Sequence, residues 1–121
     1  MNQIADLLLV LRHAPYSGLN AREGLDAALT AAAFEAPLSL LFVGDGVYQL
    51  LREQQPTQLP AKDLSKTLPA LAMYDIERLY VAAHDLQLRG IKPEQLVVEV
   101  ELLDDEQAAQ LFHQHRHILS F

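Results

Sequence analysis

Hydrophobic and polar positions alternate along this chain in blocks that predict strands and helices in turn. Residues 4–11 (IADLLLVL) form an almost unbroken apolar run, which is typical of a strand covered on both faces. Residues 21–34 (AREGLDAALTAAAF) then place apolar side chains at helical spacing. Pro37 ends this segment, and a second apolar run follows at 38–43. We therefore predict a strand, a crossover helix and a second strand.

The rest of the chain continues this alternation. We predict a short helix at 47–51, a helix at 63–74 that Pro69 interrupts, a third strand at 77–83 and a short helix at 84–88. The pattern ends with a fourth strand at 96–100 (LVVEV), a helix at 104–113 and a last strand at 117–121. This order predicts a single α/β domain over residues 1–121, with a mainly parallel five-stranded sheet and helices on both faces.

Composition and charge exclude several functional classes. The chain has no cysteine, which removes disulfides, thiolate nucleophiles, persulfides and thiolate zinc sites together. Sixteen acidic and nine scattered basic residues give a net charge of −7, which argues against direct binding of nucleic acid. The apolar runs are far shorter than the roughly 20 residues of a membrane span, and we see no secretory signal. We expect a cytoplasmic protein that does not contact a membrane.

Arg12-His13 directly follows the first predicted strand, where the nucleophilic histidine of histidine phosphatases stands. His84, after the third predicted strand, could serve as its partner. However, the chain shows no second phosphate-binding arginine in a suitable motif, and His13 is followed by Ala-Pro instead of glycine. A capping or interface histidine is the favoured interpretation.

His113, His115 and His117 would share one face of an extended segment and could there bind zinc or nickel. The segment spans a predicted helix end and a strand start, and no acidic ligand follows at a metal-binding spacing. Because a helix C-terminus favours cationic side chains electrostatically, the structural interpretation is preferred.

Gly44-Asp45-Gly46 follows the second predicted strand. Closely spaced glycines let backbone N–H groups approach a phosphate, but GxGxxG and a Walker lysine are missing, and Asp45 would repel the anion. A turn with Asp45 as the N-cap of the next helix explains the motif better.

Gly24 interrupts the start of the first helix, between Arg22 and Asp26. Glycine costs about 1 kcal/mol relative to alanine in a helix, so Gly24 indicates close packing, either within the chain or across subunits. A helix start with a mixed, solvated face is an equally good interpretation.

Five segments taken together resemble the TusC/DsrF family. They are AREGLDAAL at 21–29, LSLLFVGDGVYQLL at 38–51, Gln55-Pro56, MYDIE at 73–77 and LYVAAHDLQLRGI at 79–91. The resemblance implies a DsrE-like fold, a three-layer α/β sandwich, in a subunit of a TusB, TusC and TusD complex that is usually a dimer of heterotrimers. That complex passes persulfide sulfur towards 2-thiouridine at the tRNA wobble position. In related organisms the DsrE, DsrF and DsrH complex serves sulfur oxidation.

The resemblance also gives the missing cysteine a position. The sulfur-bearing sister subunit carries its cysteine near the end of the strand before an arginine-glycine turn, and counting back from Arg89-Gly90 leads to Ala82. The resemblance thus implies a non-catalytic subunit without cofactor or metal, which binds TusB-like and TusD-like subunits and contacts sulfur carriers only indirectly. A small phosphatase using His13 is the competing hypothesis. The family-typical residues expected to support fold or assembly are Arg22, Gly24, Asp26, Asp45, Gly46, Tyr74, Asp75 and Gly90.

Overall fold

The computed structural model describes residues 7–14, 20–34, 37–51, 71, 76 and 78–121. Five strands form one sheet in the spatial order β4-β3-β2-β1-β5, and each pair of neighbours is parallel. The strands are β1 Leu7–Leu11, β2 Leu38–Phe42, β3 Leu79–Ala82, β4 Glu101–Leu103 and β5 His117–Ser120. The helices are α1 Asn20–Ala33, α2 Ala83–Leu88, α3 Asp105–His113 and the short 3-10 helices Gly44–Leu50 and Pro93–Gln95. The predicted α/β class and five-stranded parallel sheet are confirmed.

The connection from β4 to β5 places helices on both faces of the sheet. The chain steps in one direction from β1 to β4, and α3 then returns it to the far side of β1. Because crossovers between parallel strands are right-handed, a reversal of direction moves the crossover to the opposite face. We call the two faces the α1 face and the α3 face, and the predicted placement of helices on both is confirmed.

Alternate residues of β1 and β2 supply a core on each face. Both strands lie inside the sheet and are covered on both sides, which explains their nearly continuous apolar sequence. The α1-face core includes Leu9, Leu11, Leu25, Ala28, Leu40 and Phe42. The α3-face core is smaller and consists of Leu8, Val10, Leu41, Leu103 and Leu111.

The fourth strand lies later in the chain than predicted. The prediction placed it at residues 96–100, where the structure has no strand, and β4 begins at Glu101. Leu96 instead forms an isolated antiparallel bridge with Leu51, and the Val97 N–H donates to the Leu50 carbonyl at 2.7 Å. Half-buried valines of this segment pack on the α1-face core. The prediction was wrong because an apolar pattern records burial and not the strand that a backbone pairs with.

The predicted helices near the termini of the domain agree with α1 and α3 to within one residue. Asp104 caps α3: its side chain accepts from the Gln107 N–H at 2.7 Å, and the Gln107 side chain accepts from the Asp104 N–H at 2.9 Å. The helix predicted at 63–74 lies outside the described residues, apart from the buried Leu71. Among the helices that the structure describes, none has the length and apolar character needed to cross a bilayer.

Candidate functional site

Charged side chains join the two segments that follow β2 and β3. The 3-10 helix Gly44–Leu50 begins one residue after β2, and α2 follows β3 directly. Because β2 and β3 are adjacent and parallel, these segments meet at the carboxyl edge of the sheet, where α/β proteins usually place their functional groups. We call Asp45, Asp85 and Arg89 the strand-end clamp.

Arg89 is the centre of the strand-end clamp. Its Nε and Nη2 donate to Asp45 Oδ1 at 3.2 and 2.9 Å, and its Nη1 donates to the Asp85 carbonyl at 3.1 Å. The guanidinium carbon also lies 5.9 Å from the centre of the Tyr48 ring. The Arg89 side chain is 20% exposed and that of Asp45 is 61% exposed. The arginine is therefore largely enclosed, while water screens its ion pair with Asp45 from one side.

Asp85 extends the strand-end clamp to the backbone. Its Oδ2 accepts from the Gly44 N–H at 2.9 Å, and Gly44 has a φ of +53°, in the left-handed region that favours glycine. The predicted N-cap role of Asp45 is wrong, since Val43 occupies the N-cap position and no side chain caps this 3-10 helix. Asp45 instead accepts two hydrogen bonds from the Arg89 guanidinium, in which both donor and acceptor are charged.

Two glycines shape the backbone around the strand-end clamp. A Cβ on Gly46 would collide with the carbonyl of Leu11, so the 3-10 helix lies directly against the end of β1. Gly90 has a φ of +64° and ends α2 in a Schellman motif, in which the Ile91 N–H donates to the Leu86 carbonyl at 3.0 Å. The Leu86 and Ile91 side chains are both buried in the α1-face core.

Ala82, the position matched by resemblance to the sister subunit's cysteine, is the last residue of β3 and is half-buried. It lies in register with Leu103 and only three residues before Asp85 of the strand-end clamp. The clamp itself joins two carboxylates to one guanidinium, and these groups satisfy each other. Such an arrangement holds the segments that follow β2 and β3 in a fixed relation, and Ala82 lies at the end of β3.

The remaining predicted residues lie away from the strand-end clamp. Arg22 and Asp26 form an exposed pair on α1, with 3.9 Å between Nε and Oδ2, which contributes little to stability. A Cβ on Gly24 would meet Leu11 and Phe121, so the close packing at this glycine is internal to the chain. Tyr74 and Asp75 lie outside the described residues.

The histidines of the phosphatase hypothesis follow β1 and β3, with β2 between them. At about 4.8 Å per strand, the two strand ends are separated by about 10 Å. His84 is exposed, whereas the half-buried His13 accepts a hydrogen bond from Gln49 through its carbonyl at 2.9 Å. Arg89, the arginine nearest His84 in sequence, is held by two aspartates.

Sequence reasoning missed the contacts of His115. Its Nδ1 lies 2.8 Å from the Leu111 carbonyl, which can only accept, so Nδ1 is the donor. In the neutral ring Nε2 then accepts from the Ser39 hydroxyl at 3.0 Å, which joins the end of α3 to β2. Ser39 was the available signal, because a polar residue inside the buried run LSLLF requires a hydrogen-bond partner.

The other two histidines of the FHQHRH segment do not accompany His115. His113 lies in the last turn of α3, His117 begins β5, and both are exposed. Within the part of the chain that the structure describes, no three His, Cys, Asp or Glu side chains are grouped so that they could hold a metal ion.

Comparison with known proteins decides the family. The family model described as DsrE/DsrF-like matches residues 5–121. The chain belongs to the DsrE/DsrF-like family. Its relatives in this family include a "Protein TusC homolog" of Pseudomonas aeruginosa, 41% identical over 94% of this chain and 96% of that protein. A "Protein TusC homolog" of Vibrio vulnificus is also 41% identical, over 98% of this chain and 100% of that protein.

A solved structure shares the fold of this DsrE/DsrF-like chain. The crystal structure of the ychN protein from E. coli matches with a TM-score of 0.83, and covers 97% of this chain and 99% of that one. At 23% sequence identity this likeness shows the fold alone. The resemblance to the TusC/DsrF family and the DsrE-like fold that it implied are confirmed.

Proposed function

We propose that this chain is a non-catalytic subunit of a TusBCD-type sulfur-relay complex that transfers persulfide sulfur for 2-thiouridine formation at the tRNA wobble position. The observation that carries the proposal is a TusC-like sequence over nearly the whole chain that contains no cysteine. A persulfide is carried on a cysteine sulfur, so the thiol has to come from another subunit. TusB-like and TusD-like subunits are the proposed partners.

The strand-end clamp supports a role in assembly. Ala82, at the end of β3, stands where the resemblance places the sister subunit's cysteine, and Arg89 and Asp45 join the segments that follow β2 and β3. This surface is kept in a defined shape by charge-assisted hydrogen bonds, although Ala82 has no thiol that could carry sulfur. We propose that the strand-end surface, together with the other family-typical residues, serves fold and assembly and that the chain contacts sulfur carriers and tRNA only indirectly.

Deletion of the gene tests the function directly. We expect 2-thiouridine in total tRNA, measured by mass spectrometry of nucleosides, to fall strongly and to return when the wild-type chain is supplied. A tagged chain should also co-purify with TusB-like and TusD-like subunits from the same cells. Arg89→Ala should lower both readouts, while Arg78→Ala, which removes an exposed arginine outside both the clamp and the family-typical residues, serves as the matched control.

Two results would contradict the proposal. Unchanged 2-thiouridine in the deletion strain would exclude the tRNA pathway, and a simultaneous loss of sulfur oxidation would assign the chain to the DsrE, DsrF and DsrH pathway. A tagged chain that recovers neither sister subunit, when both are expressed, would refute the assembly role.

A further inference from the structure

The two edges of the sheet differ in length, polarity and charge. Edge strands expose unpaired backbone donors and acceptors, and proteins usually protect them with charged residues, proline or short length. β4 has three residues and begins with an exposed glutamate, which fits that rule. β5 has four exposed residues without lysine, proline or an acid, so it is the less protected edge.

The β5 edge combines apolar side chains with a flanking arginine and no acid. Ile118 is 43% exposed and Leu119 is 49% exposed, and they project from opposite faces because they are consecutive in a strand. Arg116 lies directly before β5, and residues 111–121 contain no acid. In a chain of net charge −7, this makes the β5 edge a local exception to the acidic surface.

The opposite edge has an apolar groove with acidic flanking residues. Val97, Val98, Val100 and Leu102 line a groove of about 430 Å³ beside β4, which we call the 97–102 groove. Leu102 is 41% exposed at its mouth. Residues 99–106 contain five acids and no basic residue, and all five acids are exposed. The 97–102 groove therefore has the apolar character of the β5 edge and the opposite charge.

The register of the sheet shows that each edge has an exposed leucine on the same face. Leu119 pairs with Leu9 and Leu102 pairs with Val81, and both of these partners belong to the α1-face core. Leu119 and Leu102 thus project from the same face. If a second copy continues the sheet with parallel strands and sets its Leu119 beside Leu102, its Arg116 and the facing Glu99 both come just before the paired strands, since each precedes its leucine by three residues.

We propose that this chain self-associates head to tail, with the β5 edge of one copy bound along the 97–102 groove of a second copy. The interface is heterologous, so association builds rings or open chains. The proposal does not rest on the proposed function, since it concerns the chain in the absence of other subunits. It is therefore tested on the purified chain alone, and its outcome is independent of the tRNA and co-purification readouts.

Sedimentation velocity over a wide concentration range tests the association. We expect the wild-type chain to form species larger than a monomer, and Leu119→Glu or Leu102→Glu to weaken association at least about tenfold, because each puts a carboxylate into an apolar contact. Phe34→Glu is the matched control, since Phe34 is 82% exposed but lies on neither edge strand. Circular dichroism and the urea midpoint establish that each variant is folded.

Mixing the two blocked variants distinguishes head-to-tail contact from other modes. The L119E chain keeps its groove and the L102E chain keeps its β5 edge, so an equimolar mixture should recover one intact interface and stop at a 1:1 dimer. A symmetric contact of β5 with β5 predicts instead that L102E alone still dimerises and that mixing changes nothing.

The charged pair gives a second, independent test. Arg116→Glu and Glu99→Arg should each weaken association about threefold to tenfold at low salt, and the double variant should recover it, since every interface would again join opposite charges. The proposal is overturned if the wild-type chain stays monomeric throughout, if L102E associates like wild type, if the mixture forms no dimer, if Phe34→Glu also abolishes association, or if the charge swap gives no recovery.

Discussion

β1 and β5 are neighbouring parallel strands with very different surroundings. Leu9 of β1 and Leu119 of β5 occupy the same row of the sheet and project from the same face. Leu9 is fully buried, whereas about half of Leu119 is exposed. β1 has a strand on each side and helices on both faces, and β5 has a strand on only one side among the described residues. The contrast teaches that the position of a strand in the sheet, more than the type of each residue, decides how far its side chains are buried and how much they contribute to stability.

Replacing the paired leucines should give the largest effect. We expect Leu9→Ala to lower the free energy of unfolding by about 2–5 kcal/mol, because it removes buried apolar surface and leaves a cavity. Leu119→Ala should cost less than about 1 kcal/mol in the monomer, since much of that side chain is already in water. Urea unfolding at low protein concentration measures both, and equal losses would break the contrast between the two strands.

Two glycines extend the contrast to backbone packing: one lies against the carboxyl end of β1 and the other follows α2. Gly46→Ala should destabilise the chain by about 3 kcal/mol, because the new Cβ meets the Leu11 carbonyl and backbone cannot move aside cheaply. Gly90→Ala should cost only about 1 kcal/mol, since its Cβ would meet no atom within 4 Å and the cost is that of a positive φ. Thermal and urea unfolding should rank the two in this order, and the reverse order would show that backbone conformation outweighs packing at β1.

A pair of arginines extends the comparison beyond the strands. Arg89→Ala should lower stability by about 1–2 kcal/mol, because it removes three hydrogen bonds that join α2 to the 3-10 helix and to Asp85. Arg22→Ala should cost about 0.5 kcal/mol or less, as expected for an exposed pair within one helix. Urea unfolding in low and high salt is the measurement, and a similar loss for both would mean that the strand-end clamp is no stronger than a surface ion pair.

Two serines on the strands beside β1 should give the smallest difference. Ser39→Ala should destabilise the chain by about 1 kcal/mol, because it removes the buried partner of His115 Nε2. Ser120→Ala on the exposed β5 should change stability by less than about 0.5 kcal/mol. If Ser39→Ala proves neutral in urea unfolding, the contact between α3 and β2 does not contribute to stability.

Local pattern was enough to predict much of the fold. The apolar runs at 4–11 and 38–43 indicated strands covered on both faces, and the helical spacing at 21–34 indicated α1. Residues 96–100 show the limit of this reasoning. The segment is as apolar as a buried strand. However, Leu96 forms only an isolated bridge with Leu51, and the valines pack on the core without joining the sheet. An apolar pattern reports burial, and burial occurs in irregular segments too.

The candidate site was predicted in part. Sequence and resemblance placed Asp45 after the second strand, Ala82 at the end of the third and the Arg89-Gly90 turn beyond it. They did not show that Asp45 and Arg89 bind each other across 44 positions of the chain. The contact of His115 with Ser39 spans 76 positions and was missed for the same reason. Contacts between distant segments depend on how the strands are ordered, which local spacing does not encode.

By itself, the sequence determined the α/β class, the two central strands, the family resemblance and the absence of a thiol, because each depends on local pattern or composition. The tertiary structure decided which strands became edges, where β4 begins, what Asp45 binds and how the space around Leu11 is filled. Those features follow from the order β4-β3-β2-β1-β5, which gives identical residue types different neighbours and different exposure to water.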